Sequence, residues 1–306
     1  MNDGRTKLGI DAGAALVERA RAAGASSLAV VGISKNAGKT VAVGAVAGAL
    51  SREGARFGLC SIGRDGESSD VLDGAPKPRF YLRAGTNVAT AAALLPRSPA
   101  LEILAHSGEV CALGPIVLAR LRAPGFVELA GPPSADALRR VVRALFAHGS
   151  EFVAIDGAVD RVAALRDGED AIVAAAGAAS APTQARAVDE VQALVARLGL
   201  RAYDPAREAI VLDGALTAGA AAAFARAGER RQIVVRDGTR VAFGGRAFLA
   251  LSARLDLRCL RELRPVACTI ASIGVERSFE PRSFLEAVAA RTGLPAFDVY
   301  AGAVAW

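Results

Sequence analysis

Residues 28–40 read LAVVGISKNAGKT, an apolar run that closes on Gly32 and then, five residues later, on Gly38-Lys39-Thr40. Glycine-rich backbone, a compact ammonium and a hydroxyl, in that order, are the parts needed to hold a phosphate chain together with a divalent cation. Backbone N–H groups face the phosphate, the lysine reaches its outer oxygens, and the hydroxyl takes the metal. The chain is otherwise sparing with lysine. Lys7, Lys35, Lys39 and Lys77 are the only four, every other basic side chain being Arg, and two of the four lie in this segment. A forked guanidinium does not replace an ammonium that must meet phosphate as a point charge. The candidate nucleotide-binding set is therefore Gly32, Lys35, Asn36, Ala37, Gly38, Lys39 and Thr40. Its spacing departs by one residue from the common G-x-x-x-x-G-K-[ST] pattern, which would put the first glycine at position 33.

A phosphate loop of this kind needs an acidic group at the end of a neighbouring strand. Asp156 in FVAIDGA fits, with four apolar residues before it and a glycine after it. There it would hold the Mg2+ or one of its waters, together with Thr40; the plainer reading is an aspartate in a strand-end turn. The segment SIGRDGE supplies Asp65 or Glu67 to orient water or metal, and Arg64 to meet phosphate, against the alternative of an Asp-Gly turn with solvated charges. Glu128 in FVELAGPP ranks below these. The candidate catalytic set is thus Lys39, Asp156 and Asp65. No N-K-x-D sequence of the kind that reads guanine is present, so ATP with Mg2+ is the expected ligand. No side chain clearly takes the part of a base, which points to slow or partner-stimulated hydrolysis.

The totals remove several other classes. Aromatic residues make up 5% of the chain, too few for the stacking platforms of a single-strand nucleic-acid binder. The formal charge of +6 is spread over scattered arginines without a basic run, so no nucleic acid is expected as a partner. Cys60, Cys111, Cys259 and Cys268 form no CxxC pair, and His106 and His148 stand apart from them. Reduced thiols in a cytosolic protein are expected. The segment MNDGRTKLGID has no apolar signal core, and the apolar stretches fall short of the ~18 residues of a membrane span. A cytoplasmic location without membrane attachment follows as the expectation.

Elements that position these residues can be read from apolar periodicity. A helix is predicted near 11–23, a buried strand in SLAVVGI, a helix from Lys39 to 53 stopped by Gly54, and a strand at 56–63. Strand, glycine loop, helix and strand make a βαβ unit. Residues 64–98 are rich in turn signals and read as a long irregular, functional segment. Strands follow in ALEILAH, VCALGPIVLARL and GFVELAG, then a helix capped by Ser134 with Asp136 in its first turn. EFVAIDGA and DAIVAAAGAAS are further strands, with a helix at 183–198 after them. Beyond 201 the alternation recurs on a smaller scale, ending in a helix at 282–291 and LPAFDVYAG. The expected fold is α/β: a P-loop nucleotide-binding domain over 1–200, its mostly parallel sheet flanked by helices, plus a smaller C-terminal α/β region over 201–306. A single continuous sheet is the alternative.

Two family resemblances attach to these phrases. A G-x5-G-K-T loop is what dethiobiotin synthetase and cobyrinate amidase-type P-loop proteins carry. More fully, VVGISKNAGKT, CSIGRDGESSD, PKPRF, ALGPIVLARLRAPGFVELAGPPS, AIDGAVDR and the terminal PAFDV, in that order, resemble the P-loop subunit of the lysine 5,6-aminomutase reactivase, relatives of which are encoded beside ornithine aminomutases. The resemblance implies a chaperone-like ATPase that restores an adenosylcobalamin-dependent aminomutase, with that enzyme or another reactivase subunit as partner. Gly32, Gly38, Lys39 and Thr40 match the nucleotide motif, Asp156 the DGA phrase, and Arg64 to Glu67 the RDGE phrase. No D-x-H-x-x-G cobalamin signature is present, so the cobalamin would belong to the partner. An ATP-dependent small-molecule ligase and a non-catalytic nucleotide-binding regulator stand as alternatives.

Overall fold

A computed structural model describes residues 6–8, 11–32, 34, 36–62, 79–97, 100–157, 170–274, 276–300 and 302–305. The chain begins with β1 (Thr6–Leu8), α1 (Ala12–Ala22), β2 (Ser27–Gly32) and α2 (Lys39–Arg52). β2 is buried at all six positions, as a strand covered on both faces must be, and this is why it reads as an unbroken apolar run instead of an alternation. β3 (Phe57–Ser61), β4 (Phe80–Leu82), β5 (Asn87–Ala91), β6 (Leu101–Cys111), β7 (Gly114–Leu121) and β8 (Gly125–Val127) follow. Next is α3 (Ala135–Ala147), which buries Ala137, Leu138, Val141, Val142 and Leu145, one stripe at helical spacing. Ser134 caps it by accepting from the Ala137 N–H.

The rest comprises β9 (Phe152–Asp156), β10 (Asp170–Gly177), α4 (Gln184–Leu198), β11 (Ala209–Val211), α5 (Ala218–Arg226), β12 (Gln232–Val235), α6 (Gly245–Ser252), β13 (Leu257–Cys259), β14 (Arg264–Ala271), α7 (Pro281–Thr292), β15 (Ala296–Asp298) and β16 (Ala303–Ala305). The fold is α/β, as expected. Two compact units are distinguished by contact density: Asp11–Val31 with Lys39–Asp170, and Met1–Ile10 with Gly32–Gly38 and Ala171–Trp306.

In the first unit the strand order is β2-β9-β3-β5-β7-β6. β2, β9, β3 and β5 run parallel, and β7 and β6 complete the edge as an antiparallel pair. β2 and β3 are thus parallel, as the βαβ reading requires, but β9 is inserted between them and brings Asp156 beside Val30 and Ser61 in register. Helices α1 and α2 pack on each other, and their ends are tied by ion pairs of Arg52 with Asp11 and of Arg21 with Glu53.

The expectation of irregular structure over 64–98 is corrected within its described part. β4 pairs antiparallel with β8, and β5 is buried at all five positions between β3 and β7. The turn signals that hid them are real. Gly85 has φ 89° and lets the chain reverse between the two short strands.

In the second unit β10, β14 and β15 are parallel, and β16 and β1 add antiparallel strands. A separate three-stranded parallel sheet, β11-β12-β13, has its own core around Leu216, Ile233, Val235, Val241 and Phe248. Asp189 on α4 pairs with Arg246 of α6 and Arg291 of α7, so one buried carboxylate ties three helices. Among the described residues, no helix is long and apolar enough to cross a membrane.

Candidate functional site

Helix α2 begins at Lys39, directly after Gly38. Helices α1, α3, α4, α5 and α7 are closed by the side chains of Asp11, Ser134, Thr183, Thr217 and Glu280. Gly38 has no side chain to offer, as Gly244 has none before α6, and the first turn of α2 carries no acidic residue. The positive end of the helix dipole there receives a lysine, a placement that costs about 0.3–1 kcal/mol against an anionic residue's preference.

Across from this helix start stands Asp156, the last residue of β9, half-buried in the first unit. The Thr40 hydroxyl donates to Asp156 Oδ2 over 3.2 Å. Burial lowers the pKa of the Lys39 ammonium, and Asp156 pulls it back up. Burial raises the Asp156 carboxyl, against which the Lys39 charge and the Thr40 hydrogen bond act. The three residues therefore form one coupled group, brought together from 116 residues apart in sequence. Cys60, in register with Ile155 on the adjoining strand, is fully buried, and its thiol is pushed up first by that burial and then by the charge of Asp156.

The oxygens of Thr40 and Asp156 suit a hard cation. Adjacent oxygens in an octahedral shell with metal–oxygen distances of about 2.05 Å lie about 2.9 Å apart, close to the 3.2 Å observed. Among the described residues no group of three or more His, Cys, Asp or Glu could hold a metal. A Mg2+ on this pair would complete its shell with water and phosphate oxygens, its usual habit.

The loop before the helix is shaped within the second unit. Asn36 has φ 60°, the only positive φ outside glycine among the described residues, and Gly38 has φ 84°. Ala37 between them has no positive φ, so the sign alternates along 36–38. Alternation of this kind is a feature of backbone nests, in which successive N–H groups face an anion. Ala37 is 1% exposed, and Asn36 is exposed. A Cβ on Gly38 would lie 2.9 Å from the Ala271 Cβ, so both conformation and space demand glycine there.

Of the sequence-derived site residues, Lys39, Thr40 and Asp156 lie together in the first unit. Gly32 ends the buried strand β2, and Asn36, Ala37 and Gly38 form the turn into α2. Lys35 and Asp65, with Arg64 and Glu67, lie outside the described residues. Glu128 is buried at 4% exposure, and its backbone carbonyl accepts from Thr90. Sequence reasoning missed Ser34, Gly177, Ser180 and Ala271 as loop partners. The small-residue tail GAAS after a fully buried strand was the available signal. No protein-family model matches the chain, and no curated protein or solved structure matches it.

Proposed function

We propose that residues 32–40 form a P-loop that binds the phosphates of ATP with Mg2+ at Thr40 and Asp156, and that the protein hydrolyses ATP slowly. The Lys39–Thr40–Asp156 group at the start of a helix without a side-chain cap carries this reading. Lys39 meets the β- and γ-phosphate oxygens, and the amides of 36–40 and the helix dipole hold the same charge. The cation, when bound, spreads the negative charge that develops on the transferring phosphoryl group. Asp65 is assigned to orient the attacking water.

The partner follows from the sequence resemblance alone: an adenosylcobalamin-dependent aminomutase, reactivated by the nucleotide cycle of this chain, which acts as a chaperone-like ATPase. The five-residue loop spacing favours a second reading, ATP-dependent activation of a carboxylate in a small-molecule ligase. The two separate in one assay. ATP turnover by the wild type and by Lys39→Ala is measured with and without a cobalamin aminomutase, and with a panel of carboxylic acids. Stimulation by the aminomutase supports the reactivase, and turnover dependent on one acid supports the ligase. Lys39→Ala should weaken MgATP binding about 10- to 100-fold, the ~1.5–3 kcal/mol of a hydrogen bond to a charged group, while circular dichroism stays unchanged. Equal affinity in the two proteins removes Lys39 from the site.

A further inference from the structure

We propose that Gly177 and Ser180, at the carboxyl end of β10, are positioning residues that hold the phosphate loop in its binding shape, an inference that rests on the P-loop reading above. Two contacts, independent of each other, join this strand end to the loop. The first is steric. A Cβ on Gly177 would lie 2.8 Å from the Asn36 carbonyl oxygen and 3.0 Å from the Ala37 Cα. Both are backbone atoms, so a side chain at 177 cannot be accommodated by a rotamer change. The loop main chain rests directly on the strand end, at the residue whose φ is positive.

The second contact is polar. The Ser180 hydroxyl accepts from the Gly177 N–H over 3.1 Å and from the Ser34 hydroxyl over 2.9 Å. One oxygen thereby links the backbone of β10 to the loop two residues before Asn36. Ala271, at the end of β14, supports the same loop from a second strand, under Gly38. A loop that must present several N–H groups to one anion loses affinity when it samples other shapes, because each misaligned donor forfeits a charge-assisted bond. The residues that restrain it need never touch the ligand.

The test uses Gly177→Ala, Ser180→Ala, Ser180→Thr and Ser34→Ala in the full chain. MgATP affinity is measured by calorimetry, amide hydrogen exchange is followed at residues 34–38, and melting temperature is followed by circular dichroism. Gly177→Ala should lower affinity tenfold or more and speed loop exchange. Ser180→Ala should lower affinity several-fold, with Ser180→Thr restoring it because the hydroxyl remains. Ser34→Ala combined with Ser180→Ala should lower affinity by less than the product of the two single effects, since the Ser34–Ser180 bond is lost in both. Should Gly177→Ala fail to fold, the serine variants decide the matter alone.

A role confined to packing would lower the melting temperature and leave affinity and loop exchange at wild-type values, and that result overturns the proposal. Multiplying effects of the two serine variants would also overturn it. Failure of the wild type to bind MgATP would instead sink the P-loop reading itself, a result distinct from wild-type binding that is indifferent to Gly177 and Ser180.

Discussion

Thr40 is the residue at which structure and proposed chemistry make separable demands. Its hydroxyl donates to Asp156, a net contribution of about 1 kcal/mol, and the same oxygen is the proposed cation ligand. Thr40→Val keeps the shape and removes the oxygen; Thr40→Ser keeps the oxygen. Thr40→Val should lower ATP affinity about tenfold in Mg2+ and leave it unchanged in EDTA, whereas Thr40→Ser should follow the wild type in both. Equal loss with and without the metal would assign the hydroxyl to the loop's fold alone. The sequence made Thr40 and Lys39 legible because their chemistry is local: a helix start, a glycine and a lysine within a few residues. The meeting with Asp156 was legible only as a strand-end carboxylate. Which strand adjoins β2 depends on pairing between residues more than a hundred positions apart, and no spacing rule carries that information. Gly177 went unnoticed for a related reason. Its function is to be absent as a side chain beneath Asn36, and an alanine-rich strand tail reads the same with or without that constraint.

Elements with a continuous apolar run or a clean helical stripe, such as β2, α3 and α4, were legible because burial alone dictates their composition. β5 was not. Its sequence NVATA lies among turn residues, and its first position is a buried polar side chain. The structure shows what pairs with it. Asn87 donates from Nδ2 to the His148 carbonyl at 3.2 Å and to the Ser150 hydroxyl oxygen at 3.1 Å, while its Oδ1 accepts from Arg120 Nε at 3.0 Å. A polar residue thus joins β5, β7 and the turn after α3, satisfied on both sides of its amide. Asn87→Ala takes their counterpart from the Ser150 hydroxyl and from Arg120 Nε, while the His148 carbonyl keeps Arg120 Nη2 at 3.3 Å; each buried or half-buried group left so costs about 1–3 kcal/mol. The expected loss is about 2–4 kcal/mol, read as a lower midpoint in urea denaturation with an unchanged slope. A shift under about 0.5 kcal/mol would mean that water replaces the amide without penalty. The β5–β7 register would then owe nothing to Asn87.

At the scale of the whole molecule the cysteines report on both compact units at once. Cys60 lies in the unit that holds β3; Cys259 and Cys268 lie in the other, on β13 and β14. All three are buried, and Cys111 is half-buried. Burial is the first cause of the raised thiol pKa at each of the three, pushing Cys259 up to about 11 and Cys268 up to about 12, with Cys60 raised in the same direction. Alkylation proceeds through the thiolate. At pH 8 a thiol titrating near 11 is ionised to only about one part in a thousand, against about one in four for a free thiol near 8.5. Chemistry and access therefore act in the same direction. Iodoacetamide at pH 8 should modify Cys111 first in the native protein, and modify Cys60, Cys259 and Cys268 only as their own unit opens. Raising the pH to 9.5 multiplies the thiolate fraction of Cys259 about thirtyfold but does not open the core around it, so its labelling should still lag far behind that of an unfolded control. Mass spectrometry of quenched samples along a urea series then gives one protection curve per thiol. Coincident curves for Cys60 and Cys268 would show the units unfolding together, and separated curves would show each holding its own stability. Rapid native labelling of Cys60 would contradict the burial of β3, and with it the packing that keeps Asp156 beside Lys39.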